Sequence, residues 1–210
     1  MWLHGIPGCG KTVLSATVLE DVLESSKADV GRAVAYFYFD FNDQQKQEPE
    51  MMVRSIVCQL LPRCVLTSSV FEGLIASCEN GQSPPPVDVL LSVLRSLVGE
   101  FPHTYLVIDA LDESGKREEL MEILQDISQW NVAGLHVVLT SRKEHDIATT
   151  LEVILQSENI ICIESGEVDV DIRSHVQHQL RHDRNFQKWR DDAATLQMIE
   201  DCLSNGAHGM

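Results

Sequence analysis

The segment GIPGCGKT, residues 5–12, constrains the fold of this chain more than any other feature. It matches the pattern G-x-x-x-x-G-K-[ST] in full. A short apolar run, WLHG at residues 2–5, leads into it, and a helical pattern follows it. Glycines in such a loop adopt backbone angles that other residues avoid, so that successive N–H groups point at one anion. The pattern therefore predicts a phosphate-binding loop between a strand and a helix N-terminus.

The predicted loop offers several kinds of ligand to a nucleotide. Lys11 is expected to reach the β- and γ-phosphates, and the hydroxyl of Thr12 is expected to ligate Mg²⁺. We therefore predict ATP or GTP as the ligand and Mg²⁺ as the cofactor. The choice between ATP and GTP stays open, because the base is recognised outside the phosphate loop. The predicted nucleotide-binding residues are Gly5, Ile6, Pro7, Gly8, Cys9, Gly10, Lys11, Thr12 and Val13.

A second motif, YLVIDALDE at residues 105–113, places acidic residues after a buried strand. The strand delivers Asp109 to the carboxyl edge of a parallel sheet, where ligands of such sheets bind. We expect Asp109 to hold Mg²⁺, usually through water. Asp112 and Glu113 follow one turn later, where they are expected to orient or deprotonate the attacking water. The alternative is an ordinary acidic loop that caps the next helix.

A third motif, LTSR at residues 139–142, ends the next predicted strand. An arginine at this edge is expected to face the γ-phosphate, to detect its presence and to stabilise charge that develops during phosphoryl transfer. We therefore predict a sensing and catalytic role for Arg142. The alternative is a surface arginine at a strand end.

Strand-like and helix-like segments alternate along the chain, and this alternation predicts the fold class. Continuous apolar strands separated by helices are typical of a parallel sheet covered on both faces. We predict an α/β P-loop NTPase three-layer sandwich, with a mostly parallel, doubly wound sheet. The predicted strands are residues 2–5, 33–41, 105–108, 135–140 and 160–163. The predicted helices are residues 11–25, 51–61, 87–101, 118–130, 171–181 and 193–203. Leu14, Val18 and Val22 form the expected apolar face of the first helix.

The chain length and charge bound the organisation and the partners. The 210 residues are divided, in our interpretation, into an NTPase core at residues 1–165 and a helical extension at residues 166–210 that is truncated at its C-terminus. The formal net charge of −16 disfavours nucleic acid as the main partner. No apolar run approaches the length of a membrane-spanning helix, and no signal peptide is recognisable. We expect a cytoplasmic protein with no membrane partner.

Taken in order, the motifs resemble the NACHT domains of STAND-class signalling NTPases, especially those of fungal NOD-like receptors of the heterokaryon-incompatibility type. The segments that carry the resemblance are WLHGIPGCGKTVL, YFYFDFND, YLVIDALDE, VVLTSRKE and the closing GAHGM. The resemblance implies a sheet in which the LTSR strand lies between the other two motif strands. It also implies a switch: a nucleotide held in a closed state, followed by exchange and self-association or contact with partner domains of the full-length protein.

Within this framework we predict a slow nucleoside triphosphatase that acts as a nucleotide-controlled switch. Two other functions stay open at this stage. One is a non-catalytic module that binds nucleotide only to stay folded or to hold a partner. The other is a P-loop kinase for a small metabolite, which is disfavoured because the 16 basic residues form no arginine-rich lid.

Overall fold

A five-stranded parallel sheet forms the centre of the molecule. The computed structural model describes residues 1–27, 29, 31–64, 84–163, 165–182 and 192–206. The strands are β1 (Trp2–Gly5), β2 (Arg32–Tyr38), β3 (His103–Asp109), β4 (Leu135–Ser141) and β5 (Ile160–Ile163). Their order is β2-β3-β4-β1-β5, and every neighbouring pair is parallel. The predicted α/β fold class is confirmed, and β4 lies between β1 and β3 as the family resemblance implied.

Helices connect the strands close to where the sequence pattern predicts them. They are α1 (Lys11–Lys27), α2 (Pro49–Leu60), α3 (Val87–Gly99), α4 (Arg117–Ser128), α5 (His145–Ile154), α6 (Ser165–His182) and α7 (Ala193–Gly206). The last two helices pack against each other. The final four residues of the GAHGM segment lie outside the described part of the chain. Within that part, none of the helices combines the length and apolarity that a membrane crossing requires.

The two faces of the sheet bury unequal cores. Alternate strand residues such as Ala35, Leu106 and Leu139 belong to a large cluster that also includes the buried faces of α2 to α5. On the opposite face, Leu19 of α1 packs with Val34 and Val107 in a much smaller cluster. Because successive side chains of a strand point to opposite faces, the apolar run of β3 has to be buried on both sides. This burial produces the three layers that the sequence predicts.

The predicted apolar face of α1 is wrong for Leu14 and Val18, whereas Val22 packs against the smaller cluster. The residues that α1 buries are Ser15, Leu19 and Ser26, whereas Leu14 is exposed and Val18 is only half-buried. The reason is that the start of α1 is tied to the sheet through polar groups, described below, and these contacts fix how the helix is rotated. The helix therefore turns a serine toward the sheet and leaves Leu14 facing outward.

The strand order brings three motif strands to one edge of the sheet. Ile108 of β3 is in register with Leu139 of β4, and Leu139 is in register with Trp2 of β1. The residues that follow these positions therefore reach the carboxyl edge together, beside the loop between β1 and α1. Ligands of open parallel sheets bind at such an edge.

Candidate functional site

The loop between β1 and α1 has the backbone geometry of an anion cradle. Gly8 and Gly10 have φ angles of 77° and 86°, in the left-handed region that side chains disfavour. A Cβ atom at Gly10 would meet no atom within 4 Å, so the backbone angle, rather than crowding, requires glycine there. The loop ends at Lys11, where α1 begins, so the N-terminal N–H groups and the positive end of the helix dipole face the loop.

Lys11 folds over this loop. Its Nζ donates hydrogen bonds to the carbonyl oxygens of Gly5, at 2.9 Å, and Ile6, at 2.8 Å. The sulfur of Cys9 lies 3.5 Å from the same ammonium group and is buried beneath the loop. The positive charge of Lys11 is therefore held at the mouth of the cradle by backbone groups rather than by a carboxylate.

Asp109, at the end of β3, is the centre of a buried hydrogen-bond network. Its carboxylate is 2% exposed and accepts hydrogen bonds from three hydroxyl groups. Thr12 donates to Oδ2 at 2.8 Å, while Ser15 and Thr140 donate to Oδ1 at 2.7 Å and 2.6 Å. A buried carboxylate is costly unless such donors satisfy it. Asp109 therefore connects α1, β3 and β4 at the sheet edge.

Two of these hydroxyl residues were missed by the sequence analysis. Ser15 is fully buried in the first turns of α1, and Thr140 is fully buried in β4. Thr140 also accepts the N–H of Ala110 at 3.0 Å, and Ala110 has a left-handed backbone with a φ angle of 59°. The sequence offered a weak signal, because Ser15 and Thr140 are two of several polar residues within α1 and β4.

Asp112 and Arg142 are held together at the rim of the site. The Nε atom of Arg142 lies 3.1 Å from Oδ2 of Asp112, and the backbone N–H of Arg142 donates to Oδ1 at 2.9 Å. The Asp112 side chain is 8% exposed and the Arg142 side chain 50% exposed. The acid is thus buried against the strand end, while the guanidinium group projects toward solvent.

The side chain of Glu113 is hydrogen-bonded to the segment that follows β2. Its Oε2 accepts the backbone N–H of Phe41, just beyond β2, at 3.1 Å. Burial raises the pKa of the Glu113 carboxyl above its usual value; the Phe41 N–H opposes this rise, while the negative charges of Asp112 and Asp40 add to it. Glu113 therefore takes up a proton more readily than an exposed glutamate does.

An open cleft of about 330 Å³ unites the cradle and the strand ends. It brings together most of the predicted site residues and adds Ala110 and Thr140. The residues that line it are Pro7, Gly8, Gly10, Lys11, Thr12, Val13, Ala110, Asp112, Glu113, Thr140 and Arg142. Four predicted residues do not line it: Gly5, Ile6, Cys9 and Asp109. Cys9 and Asp109 are buried behind the cleft wall and would act on its contents through Lys11 and Thr12.

The donor atoms at this cleft fit a hard divalent cation that also binds phosphate oxygens. Thr12 and Asp109 contribute oxygen atoms that are 2.8 Å apart, and Lys11 contributes a charge for an anion. Mg²⁺ is commonly bound by one or two protein oxygen ligands together with substrate phosphates, rather than by an all-protein cage. The described residues contain no group of three or more histidine, cysteine or acidic side chains arranged to hold a metal.

With this geometry established, comparison with known proteins identifies the family. The family model described as "Nephrocystin 3, N-terminal" matches residues 1–142, which include all three motifs. The chain belongs to the nephrocystin 3 N-terminal family. The glycine loop, Asp109 and Arg142 thus all lie within the matched nephrocystin 3 N-terminal region.

A curated relative supports the same relationship. The chain is 23% identical over 216 residues to the vegetative incompatibility protein HET-E-1 of Podospora anserina. The similarity covers 100% of this chain but only 15% of the relative. Together with the nephrocystin 3 N-terminal match, this similarity confirms the predicted resemblance to the NACHT domains of STAND NTPases.

Solved structures agree on the fold. The structure of the Aeropyrum pernix ORC1 protein in complex with DNA superposes with a TM-score of 0.53 at 17% identity, over 86% of this chain and 43% of that chain. The Drosophila ORC bound to DNA gives a TM-score of 0.51 at 14% identity, over 100% of this chain and 52% of that chain. This member of the nephrocystin 3 N-terminal family therefore has the architecture of a P-loop NTPase domain.

Proposed function

We propose that this domain binds ATP or GTP together with Mg²⁺ and acts as a slow, nucleotide-controlled switch. The observation that carries the proposal is the hydrogen bond of 2.8 Å between Thr12 of the glycine loop and Asp109 of β3, beside the Lys11 ammonium group. It supports the proposal because a phosphate cradle, a hydroxyl group on the cleft wall and a carboxylate directly behind that wall would together serve a nucleotide and its metal ion. A cradle and metal ligands are both needed to bind a nucleoside triphosphate with its metal ion.

Each predicted residue has a role in this proposal. The backbone N–H groups of residues 5–13, to which Pro7 contributes none, and the ammonium group of Lys11 hold the phosphates. Thr12 and Asp109 hold Mg²⁺, directly or through water. Bound there, Mg²⁺ would neutralise charge on the β- and γ-phosphates. Asp112 or Glu113 orients the attacking water, and Arg142 contacts the γ-phosphate.

Slow hydrolysis is supported by the partners of the two candidate acids. Asp112 is paired with Arg142, so its charge is already compensated. Glu113 accepts the N–H of Phe41, so one of its oxygens is occupied. A carboxylate that activates water must offer a free oxygen within hydrogen-bond reach of that water. Asp112 therefore has to give up Arg142 before it can serve fully, and Glu113 can serve through Oε1 alone.

The switch and its partners are proposed for the full-length protein. The chain spans 15% of the incompatibility protein that it resembles, so the coupling of nucleotide exchange to self-association is proposed for a longer protein. The core at residues 1–165 would bind the nucleotide, and the helical extension at residues 166–210 would contact partner domains of that protein. Nucleic acid is not proposed as a partner, although both similar solved structures contain DNA, because the net charge of −16 would repel it.

A non-catalytic nucleotide-binding module is the second candidate. The same paired state of Asp112 and Glu113 favours it, because a module that never releases these acids would bind nucleotide without cleaving it. Phosphate release over hours at saturating ATP or GTP separates the two functions. Release above a matched Asp112→Asn plus Glu113→Gln double variant supports the hydrolase.

Nucleotide binding itself is tested by Lys11→Ala. We expect this variant to weaken binding of fluorescent mant-ATP or mant-GTP by about a hundredfold, because it loses charge-assisted bonds to two phosphates. Its unfolding midpoint should change little, since the site lies at the surface. The control is Lys27→Ala at the exposed end of the same helix, where Lys27 pairs with Glu24. Equal affinity in Lys11→Ala and wild type would contradict the proposal.

A further inference from the structure

We infer that Ser15 is a positioning residue for the metal ligands: it orients the carboxylate of Asp109 so that Oδ2 accepts a hydrogen bond from the Thr12 hydroxyl group. This inference rests on the proposed function and concerns a residue outside the G-x-x-x-x-G-K-[ST] motif. It explains why α1 turns a fully buried serine toward the sheet while Leu14 stays exposed.

The hydrogen bonds of Ser15 indicate which of its acceptors matters. Its Oγ lies 2.7 Å from Oδ1 of Asp109 and 3.1 Å from the carbonyl oxygen of Thr12. A serine inside a helix commonly donates to a preceding carbonyl, so the contact with the Thr12 carbonyl alone would indicate no special role for Ser15. The contact with the carboxylate is shorter, and bonds to charged acceptors are the stronger ones. We therefore assign the single hydroxyl hydrogen of Ser15 to its hydrogen bond with Asp109.

Ser26 provides an internal comparison on the same helix. It is also buried, and its Oγ donates to the carbonyl oxygen of Leu23, three residues earlier, at 2.9 Å. Ser15 makes the same local contact with Thr12 and, in addition, reaches a carboxylate 94 residues away. The local contact thus explains Ser26, whereas Ser15 has a second partner that lies in the site.

The two oxygens of Asp109 are divided between two tasks. Ser15 and Thr140 both donate to Oδ1, which restrains rotation of the carboxylate about its Cβ–Cγ bond. Oδ2 then accepts a hydrogen bond from the Thr12 hydroxyl group. Because the Thr12 hydroxyl group donates its hydrogen to Asp109, the lone pairs of its oxygen remain available to a cation on the cleft side. Removing Ser15 leaves Oδ1 with a single hydroxyl partner and frees the carboxylate to turn.

The experiment measures how nucleotide binding depends on Mg²⁺. Mant-ATP and mant-GTP are titrated against the full 210-residue chain, first with EDTA and then at increasing MgCl₂, for wild type, Ser15→Ala, Ser15→Thr and Ser26→Ala. We expect Ser15→Ala to keep its affinity in EDTA within about twofold. Its half-maximal MgCl₂ concentration should rise by about five- to tenfold, which is less than the full effect of one lost bond to a charged acceptor because Thr140 still donates to Oδ1. Ser15→Thr, which retains the hydroxyl, and Ser26→Ala should follow wild type.

The outcomes separate this inference from the function on which it rests. If wild type binds nucleotide with Mg²⁺ dependence and Ser15→Ala has the same MgCl₂ midpoint, the positioning role is overturned while the proposed function stands. If wild type binds neither nucleotide, both the positioning role and the proposed function are wrong. If Ser15→Ala does not fold, Ser15→Cys fills the site with a somewhat larger side chain that is a weaker donor, and an unshifted midpoint in that variant overturns the role equally.

Discussion

Arg142 and Asp112 are joined by two contacts: the guanidinium Nε lies 3.1 Å from Oδ2, and the Arg142 backbone N–H donates to Oδ1 at 2.9 Å. The proposed γ-phosphate sensor is therefore paired with one of the proposed water-orienting acids. A triphosphate that contacts Arg142 has to compete with Asp112 for it, and that competition would release the acid. Because half of the Arg142 side chain is exposed, the pair is worth only about 0–1 kcal/mol, which a phosphate contact exceeds.

Arg142→Ala should lower the affinity for triphosphate about tenfold and leave the affinity for diphosphate nearly unchanged. The estimate takes a charge-assisted bond of about 1.5–3 kcal/mol and subtracts the cost of breaking the Asp112 pair. Calorimetric titration with ADP or GDP and with non-hydrolysable triphosphate analogues measures both affinities. Lys143→Ala is the control, because this neighbouring lysine is similarly exposed and pairs with Glu152 instead. Equal losses for both nucleotides would indicate a disturbed site rather than a sensor.

Asp109→Asn and Asp112→Asn should separate metal dependence from hydrolysis. Asp109 sits behind Thr12, so Asp109→Asn should weaken the Mg²⁺ dependence of binding. Asp112→Asn should mainly slow phosphate release. It should also raise triphosphate affinity by about two- to fivefold, because Arg142 no longer has an ionised partner. MgCl₂ titrations of mant-nucleotide binding and single-turnover phosphate release provide the two readouts. The reverse assignment would mean that the two carboxylates have exchanged roles.

The raised pKa of Glu113 predicts a pH-dependent effect on stability. A carboxyl group whose pKa is raised by folding favours the folded state when it is protonated, and this contribution is lost as pH rises through the folded-state pKa. Glu113→Gln, which stays neutral and can still accept the Phe41 N–H, should therefore raise the thermal midpoint slightly at pH 7. The gain should disappear at pH 4. Thermal unfolding across this range tests the sign, with the exposed Glu122→Gln in α4 as control. A gain that grows toward pH 4 would be opposite to the expectation.

Thr140→Val should destabilise the domain by about 1–3 kcal/mol, although the two side chains have nearly the same shape. The change removes the acceptor of the Ala110 N–H and one donor to buried Asp109, and valine offers neither group. Urea unfolding measures the loss. Thr149→Val is the control, since Thr149 is exposed and donates to the carbonyl oxygen of His145 in its own helix. A loss no larger than that of the control would mean that the network at Asp109 adds nothing to folding.

The sequence pattern alone was sufficient to predict the strand–loop–helix unit, the parallel sheet and the edge where the motifs meet. These features depend on local chemistry. Gly8 and Gly10 supply the left-handed turns, and the unbroken apolar run of β3 requires burial on both faces. Because the carboxyl ends of parallel strands share an edge, Asp109 and Arg142 had to end near the loop once the strand order was known.

The rotation of α1 and the pairing of polar side chains were decided by the tertiary structure. Ser15 meets Asp109 across 94 residues of sequence, Thr140 meets it across 31, and Arg142 meets Asp112 across 30. Helical periodicity favoured Leu14 as a buried residue, but satisfying a buried carboxylate outweighs burying one more partly exposed apolar side chain. Hydrogen bonds act only over about 3 Å, so the partner of each polar side chain is determined when the strands and α1 pack. A local sequence pattern therefore does not predict which side chains are paired.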